Sequence, residues 1–176
     1  ADLKGEVRMM TSGGGLKFGQ IEGPIWGETS GGGIQLSECS GNVDVATSGG
    51  GIEIGEVDGT LKAYTSGGSI KIESVAGSID AKTSGGSIEA ALLDQPEGDC
   101  YLGTSGGNVT VELASDLRFD VDAKTSGGQV RTDLPLSVRG TVSKTKVQGE
   151  LNGGGPKLVL RTSGGSIRIK EGHTLH

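Results

Sequence analysis

The sequence predicts an all-β fold, a single-chain β-solenoid of about nine coils, each 18–21 residues long with two short strands. Three observations predict it. Glycine falls every ninth residue through the first half of the chain, at Gly5, Gly14, Gly23, Gly32, Gly41, Gly50, Gly59, Gly68, Gly77 and Gly86. Alternate glycines close a Thr-Ser-Gly-Gly tetrapeptide starting at Thr11, Thr29, Thr47, Thr65 and Thr83, and later at Thr104, Thr125 and Thr162, so the true period is 18. Between glycines, apolar and polar residues alternate. A fixed period near 20 marks a solenoid, in which each repeat buries its apolar face against its neighbours. Alternation with period two marks a strand with one buried face. One domain is expected over residues 1–176, with wider coils at about 86–140 and a polar tail at 171–176.

Each coil has two halves. One follows the tetrapeptide, as in Gly51-Ile52-Glu53-Ile54-Gly55-Glu56-Val57; the other precedes it, as in Gly59-Thr60-Leu61-Lys62-Ala63-Tyr64-Thr65. The inward set is then Leu16, Phe18 and Ile21; Ile34, Leu36 and Cys39; Ile52, Ile54 and Val57; Ile70, Ile72 and Val75. From the other half come Val43 and Val45, Leu61 and Ala63, Ile79 and Ala81. Two short strands per repeat imply a flattened coil with two sheets back to back.

The tetrapeptides are the corners. Thr47, Gly49 and Gly50, with Thr65, Gly67 and Gly68 and with Thr83, Gly85 and Gly86, are the expected structural turn residues. Alternation carries each threonine inward, where its hydroxyl can bond the turn backbone, and the glycines are expected to supply positive φ. Stacked threonines also resemble an ice-binding surface, a lesser alternative that their inward direction disfavours.

Outward positions carry charge in columns: Glu53, Lys71, Glu89 on one sheet and Asp44, Lys62, Asp80 on the other. Opposite charges on neighbouring strands contribute roughly 0.2–1 kcal/mol per pair and help to set register. Cys39 and Cys100 lie about three coils apart, or about 15 Å at ~4.8 Å per coil, too far for a disulfide.

Three half-repeats lengthen from nine residues to twelve, at Gly86–Gly98, Gly107–Phe119 and Gly128–Gly140. Their extra residues fall in one half of the coil. Leu92, Leu93, Asp94, Asp116, Leu134 and Pro135 are therefore a candidate interaction edge, unless the leucines widen the core. Asn152-Gly153-Gly154-Gly155-Pro156 is expected to tighten the last coils. His173 and His176 belong to the polar tail.

Composition bounds the function. Glycine supplies 35 residues of 176, about three times its usual share, but its phasing marks turns instead of disorder. The net charge of −6 argues against nucleic acid. Residues 1–117 carry 6 positive and 17 negative charges, whereas residues 118–176 carry 10 positive and 5 negative. Lys144, Lys146 and Arg161 in the basic end are the candidates for an anionic partner. No phosphate loop, HExxH pair or calcium-solenoid GGxGxD pattern is present, and the acidic residues stand singly. The expectation is no enzyme, no catalytic residue, no cofactor and no metal. No apolar run is long enough to form a transmembrane helix. The chain opens inside a repeat and without Met, which points to a processed or trimmed N-terminus.

Phe119-Asp120-Val121-Asp122-Ala123-Lys124-Thr125-Ser126-Gly127-Gly128, with Asp133-Leu134-Pro135 after it, carries a family resemblance. So does Gly149-Glu150-Leu151-Asn152-Gly153-Gly154-Gly155-Pro156-Lys157-Leu158, running into Thr162-Ser163-Gly164-Gly165-Ser166-Ile167-Arg168-Ile169. Over nearly its whole length the chain resembles the bacterial adhesin-like β-solenoid family of DUF4097-type domains. The resemblance implies an extracytoplasmic location and a surface or envelope role, and it carries no catalytic or ligand residues. The expected function is a non-enzymatic structural scaffold, self-assembling end to end into filaments or meeting a cell-envelope component. The alternative is a binding module for glycan, cell-wall polymer or anionic membrane.

Overall fold

The structure, a computed structural model, describes residues 3–92, 98–114, 116–133, 137–138 and 143–172. It is a β-solenoid of two sheets packed back to back. β1 (Leu3–Lys4) opens the chain. Six two-strand turns follow: β2 (Val7–Thr11) with β3 (Leu16–Glu22), β4 (Ile25–Thr29) with β5 (Ile34–Cys39), β6 (Val43–Thr47) with β7 (Ile52–Val57), β8 (Leu61–Thr65) with β9 (Ile70–Val75), β10 (Ile79–Thr83) with β11 (Ile88–Leu92), and β12 (Cys100–Thr104) with β13 (Val109–Ala114). Then come β14 (Phe119–Thr125), β15 (Val130–Thr132), β16 (Ser137–Val138), β17 (Lys146–Leu151), β18 (Lys157–Thr162) and β19 (Ile167–Gly172). No helix of the described residues is long and apolar enough to cross a membrane.

Alternation decides which side of each strand is buried. Strand β8 alternates buried and exposed over Leu61, Lys62, Ala63, Tyr64 and Thr65. Its partners repeat the pattern in register, Leu61 opposite Val43 and Ile79. The inward residues form one continuous apolar core along the stack. The charge columns also lie as the repeat predicts, with Lys71 between Glu53 and Glu89, and Lys62 between Asp44 and Asp80.

The corners have the expected inward threonines bonded to backbone, but not the expected positive φ. All seven tetrapeptide threonines from Thr29 onward are buried. Each donates its hydroxyl hydrogen to the carbonyl of the closing glycine in the neighbouring coil, at 2.6–2.8 Å. The same oxygen accepts the amide of its own closing glycine, as from Gly68 to Thr65 at 3.3 Å. No tetrapeptide glycine has positive φ. Glycine is needed for proximity instead, since a Cβ on Gly68 would overlap the backbone of Gly50.

A second row of bonds was not foreseen. Side chains just after the tetrapeptides hold the next coil's amide: Ser69 accepts from Ser87, Ser87 from Asn108 and Asn108 from Ser166, at 3.1, 3.1 and 2.7 Å. Both cysteines are free and buried, and burial pushes the Cys100 thiol up to about 11.

The coil order departs from the sequence reading. Six turns stack in chain order, against the nine coils expected. Beyond them the ten-stranded sheet runs β12–β18–β14–β17–β16, and the nine-stranded sheet runs β13–β19–β15. The last turn, β18 with β19, is thus threaded between two earlier ones. The threonine ladder follows space and not sequence, since Thr162 bonds Gly107 and Thr125 bonds Gly165. The cause lies in the excursion between them. Strand β17 lies antiparallel on one edge of β14, so the returning chain can only take the other edge. Asn152, Gly153 and Gly154 have φ of 54, 91 and 87°, a left-handed reversal. The segment is therefore a chain reversal, where the sequence suggested a tightened coil. Gly155 lies so close to Arg118 that a Cβ would sit 2.7 Å from its carbonyl oxygen.

Candidate functional site

The ten-stranded sheet carries outward side chains in two columns on its strands. One column reads Ala46, Tyr64, Lys82, Gly103, Arg161, Lys124 and Lys146 on β6, β8, β10, β12, β18, β14 and β17. Beside it run Asp44, Lys62, Asp80, Tyr101, Val159 and Asp122. Between the first column and the row of tetrapeptide serines lies a groove of about 760 Å³. Three cations, Lys82, Arg161 and Lys124, line it, with Tyr64, Tyr101 and Ser66, Ser84, Ser105, Ser163 and Ser126, and among the described residues no carboxylate does. A groove on the opposite sheet instead mixes Lys17 and Lys71 with Glu53 and Glu73.

Each feature of the groove has a local cause. Gly103 has no side chain, and the Tyr101 ring lies in that space; a Cβ there would stand 2.8 Å from Tyr101 Cε1. The Lys82 ammonium sits 5.4 Å from the Tyr64 ring centroid and 5.1 Å from that of Tyr101, a double cation–π contact. It is also 3.7 Å from Asp80 Oδ1 and donates to Tyr64 Oη at 3.5 Å. Asp80, then Tyr64, hold its pKa above the ordinary lysine value. Arg161 is fixed by Asp122: Nη2 donates to Oδ2 at 2.8 Å, and Nη1 to Oδ1 at 3.2 Å and to the Asp122 carbonyl at 2.9 Å. That hydrogen bond, ahead of the charge itself, holds the Asp122 carboxyl below its usual value. Asp80 and Asp122 partly offset the cations they touch, but both flank the groove from outside its lining.

Of the residues singled out for an anionic partner, Arg161 lines the groove, Lys146 lies opposite Lys124 across β14 and β17, and Lys144 is exposed just before β17. Sequence reasoning missed Lys82 and Lys124. Tyr64 and Tyr101, on β8 and β12, meet through Lys82. Trp26 stands apart on the same sheet, under Arg8 at 5.5 Å. The column frame could have found both lysines, since each directly precedes a tetrapeptide threonine, whereas Arg161 stands between Gly103 and Lys124 only because β18 is threaded in.

Of the six candidates for an insertion edge, Leu92 and Asp116 are among the described residues. Leu92 is fully buried, since it ends β11 in register with core residue Leu113; it widens the core. Leu117 does the same, and Asn152 Nδ2 donates to its carbonyl at 2.8 Å. Asp116 is exposed beside it. Leu93, Asp94, Leu134 and Pro135 lie outside the described residues, as do His173 and His176. The turn residues Thr47, Gly49 and Gly50, Thr65, Gly67 and Gly68, and Thr83, Gly85 and Gly86 all stand in the corner stack.

No curated protein and no solved structure matches the chain. A family model described as Toastrack DUF4097 matches residues 6–170, which includes every strand of the groove. With its glycine corners, stacked parallel turns and threaded C-terminal turn, the chain belongs to the Toastrack DUF4097 family.

Proposed function

We propose that this domain is a non-enzymatic extracytoplasmic scaffold that turns its ten-stranded sheet toward a component of the cell envelope. The groove carries this reading: among the described residues it gathers three cations and two tyrosines without a carboxylate, on a chain whose net charge is −6. Rigidity supports it, because the ladder threonines spend their hydroxyls on holding coils together. The extracytoplasmic location rests on the likeness to adhesin-like domains. Cosedimentation of the purified domain with bacterial envelope fragments tests the proposal. The domain should pellet with the fragments, and a Lys82→Glu/Lys124→Glu variant should remain in the supernatant. A wild-type domain that stays soluble with every fraction would overturn it.

Self-assembly is a second reading, favoured by Met9 and Met10 on edge strand β2, which are 39% and 70% exposed. The far end of that sheet closes with antiparallel β17 and β16. Chains meeting through β2 would therefore pair about a two-fold axis instead of running on as a filament. Sedimentation velocity on the same preparation would show a concentration-dependent dimer, and a monomer at all concentrations would rule this out.

A further inference from the structure

We propose that the groove is a subsite for an anionic polysaccharide, with one sugar ring lying against Tyr101 and the acidic groups of the chain following the cations along the solenoid axis. This rests on the reading that the ten-stranded sheet faces an envelope component, and it names the chemistry that the sheet would take.

The aromatic surface is the first argument. Gly103 lets the Tyr101 ring occupy the space beside it, so the ring lies along the groove that it lines. The C–H faces of pyranose rings stack on such surfaces. Tyr64 stands on the other side of Lys82, within cation–π distance of it. The ammonium is therefore held between two rings, where an approaching carboxylate meets a cation already positioned.

Charge spacing is the second argument. Along the column, Lys82, Arg161 and Lys124 stand on β10, β18 and β14, with only Gly103 of β12 interrupting them. Strands step by ~4.8 Å, so the cations form a line across the strands, the direction a linear polymer would take. Arg161 is braced by Asp122 through both Nη atoms, which fixes its guanidinium before a ligand arrives and lowers the ordering cost of binding. The exposed tetrapeptide serines beside this line supply one hydroxyl per strand for sugar hydroxyls.

Other polyanions fit less well. A lipid surface favours cations and apolar groups that project, whereas these cations lie in a groove whose lining, among the described residues, has no large aliphatic side chain. A plain polyanion would use the charges and leave the Tyr101 face idle.

Calorimetric titration tests the assignment with four probes: oligogalacturonate, its carboxyl-reduced form, polyglutamate of equal charge, and phosphatidylglycerol vesicles. Oligogalacturonate should bind, and the other three should bind roughly tenfold more weakly or not at all, since each lacks a ring or a charge that the groove uses. Tyr101→Ser should weaken oligogalacturonate binding roughly tenfold. Gly103→Ala, which displaces the ring while keeping the tyrosine itself, should weaken it in the same direction. Lys71→Glu on the opposite sheet should leave it unchanged, with thermal melts confirming that each variant folds. Polyglutamate or vesicles binding as tightly as oligogalacturonate would overturn the assignment, and so would indifference to Tyr101→Ser. If oligogalacturonate fails while envelope fragments still retain the domain through Lys82 and Lys124, the sugar assignment falls and the scaffold reading stands. Failure of both binding assays removes both.

Discussion

At Gly68 a methyl group has nowhere to go, because its Cβ would overlap the backbone of Gly50 one coil away. At Gly14, which closes the first tetrapeptide, a Cβ would meet only Thr11 Oγ1, at an ordinary contact distance of 3.7 Å. Identical local sequence thus has different consequences, set by whether a coil stacks on that side. Gly68→Ala should destabilise the fold by about 3 kcal/mol, as overpacking does. Gly14→Ala should be neutral or stabilise by roughly 0.4–1 kcal/mol through the unfolded chain. Urea unfolding of the two variants checks this, and equal losses would contradict it. The threonines show the same dependence on neighbours. Their inward direction was legible from alternation, but the partner of each hydroxyl is a glycine carbonyl in another coil. The chain spacing cannot name that carbonyl once the coil order departs from the chain order.

Strand β18 shows how one element is held between two others. Leu158 and Leu160 continue the core columns of Cys100 and Leu102 on one side and of Val121 and Ala123 on the other. The Arg161–Asp122 pair ties its outer face to β14. Asp122 titrates below its usual value in the folded protein, so the folded state binds its proton less readily than the unfolded state. The resulting stabilisation is present above the ordinary aspartate value, about 3.9, and is lost as pH falls through the lowered folded value. Both side chains are 33% exposed, so the contribution is modest. Asp122→Asn should therefore reduce stability at neutral pH and flatten its decline under acid conditions. Urea unfolding at pH 7 and pH 3 measures both, and an unchanged acid slope would remove the pair from the account.

For the whole molecule, threading alters where the structure should open. A solenoid wound in chain order frays from its last coil, since that coil has one neighbour. Here the last turn has neighbours on both sides in both sheets, with β18 between β12 and β14 and β19 between β13 and β15. Amide hydrogen exchange should find Leu158 and Leu160 as protected as Ile79 and Ala81 in the middle of the stack. Rapid exchange of β18 with slow exchange of β14 would show an ordinary fraying end. The same threading assembles the candidate groove. Arg161 is in the chain's last turn, yet it stands between Gly103 and Lys124 and completes the line of cations.

The sequence by itself determined the strands, their inward faces, the corners and the charge columns of the first six turns. Each of these follows from a local period, and stacking in register repeats that period in space. It also determined that the basic charge gathers toward the C-terminal end. Only the tertiary structure decided that the corner glycines serve close approach, that Leu92 widens the core, and that Lys82, Arg161 and Lys124 share one groove. The physical reason is the common repeat frame. A strand ending in Thr-Ser-Gly-Gly fits beside any other such strand, so local pattern leaves their order open. The antiparallel strand β17 resolves it by covering one edge of β14 and sending the last turn to the other.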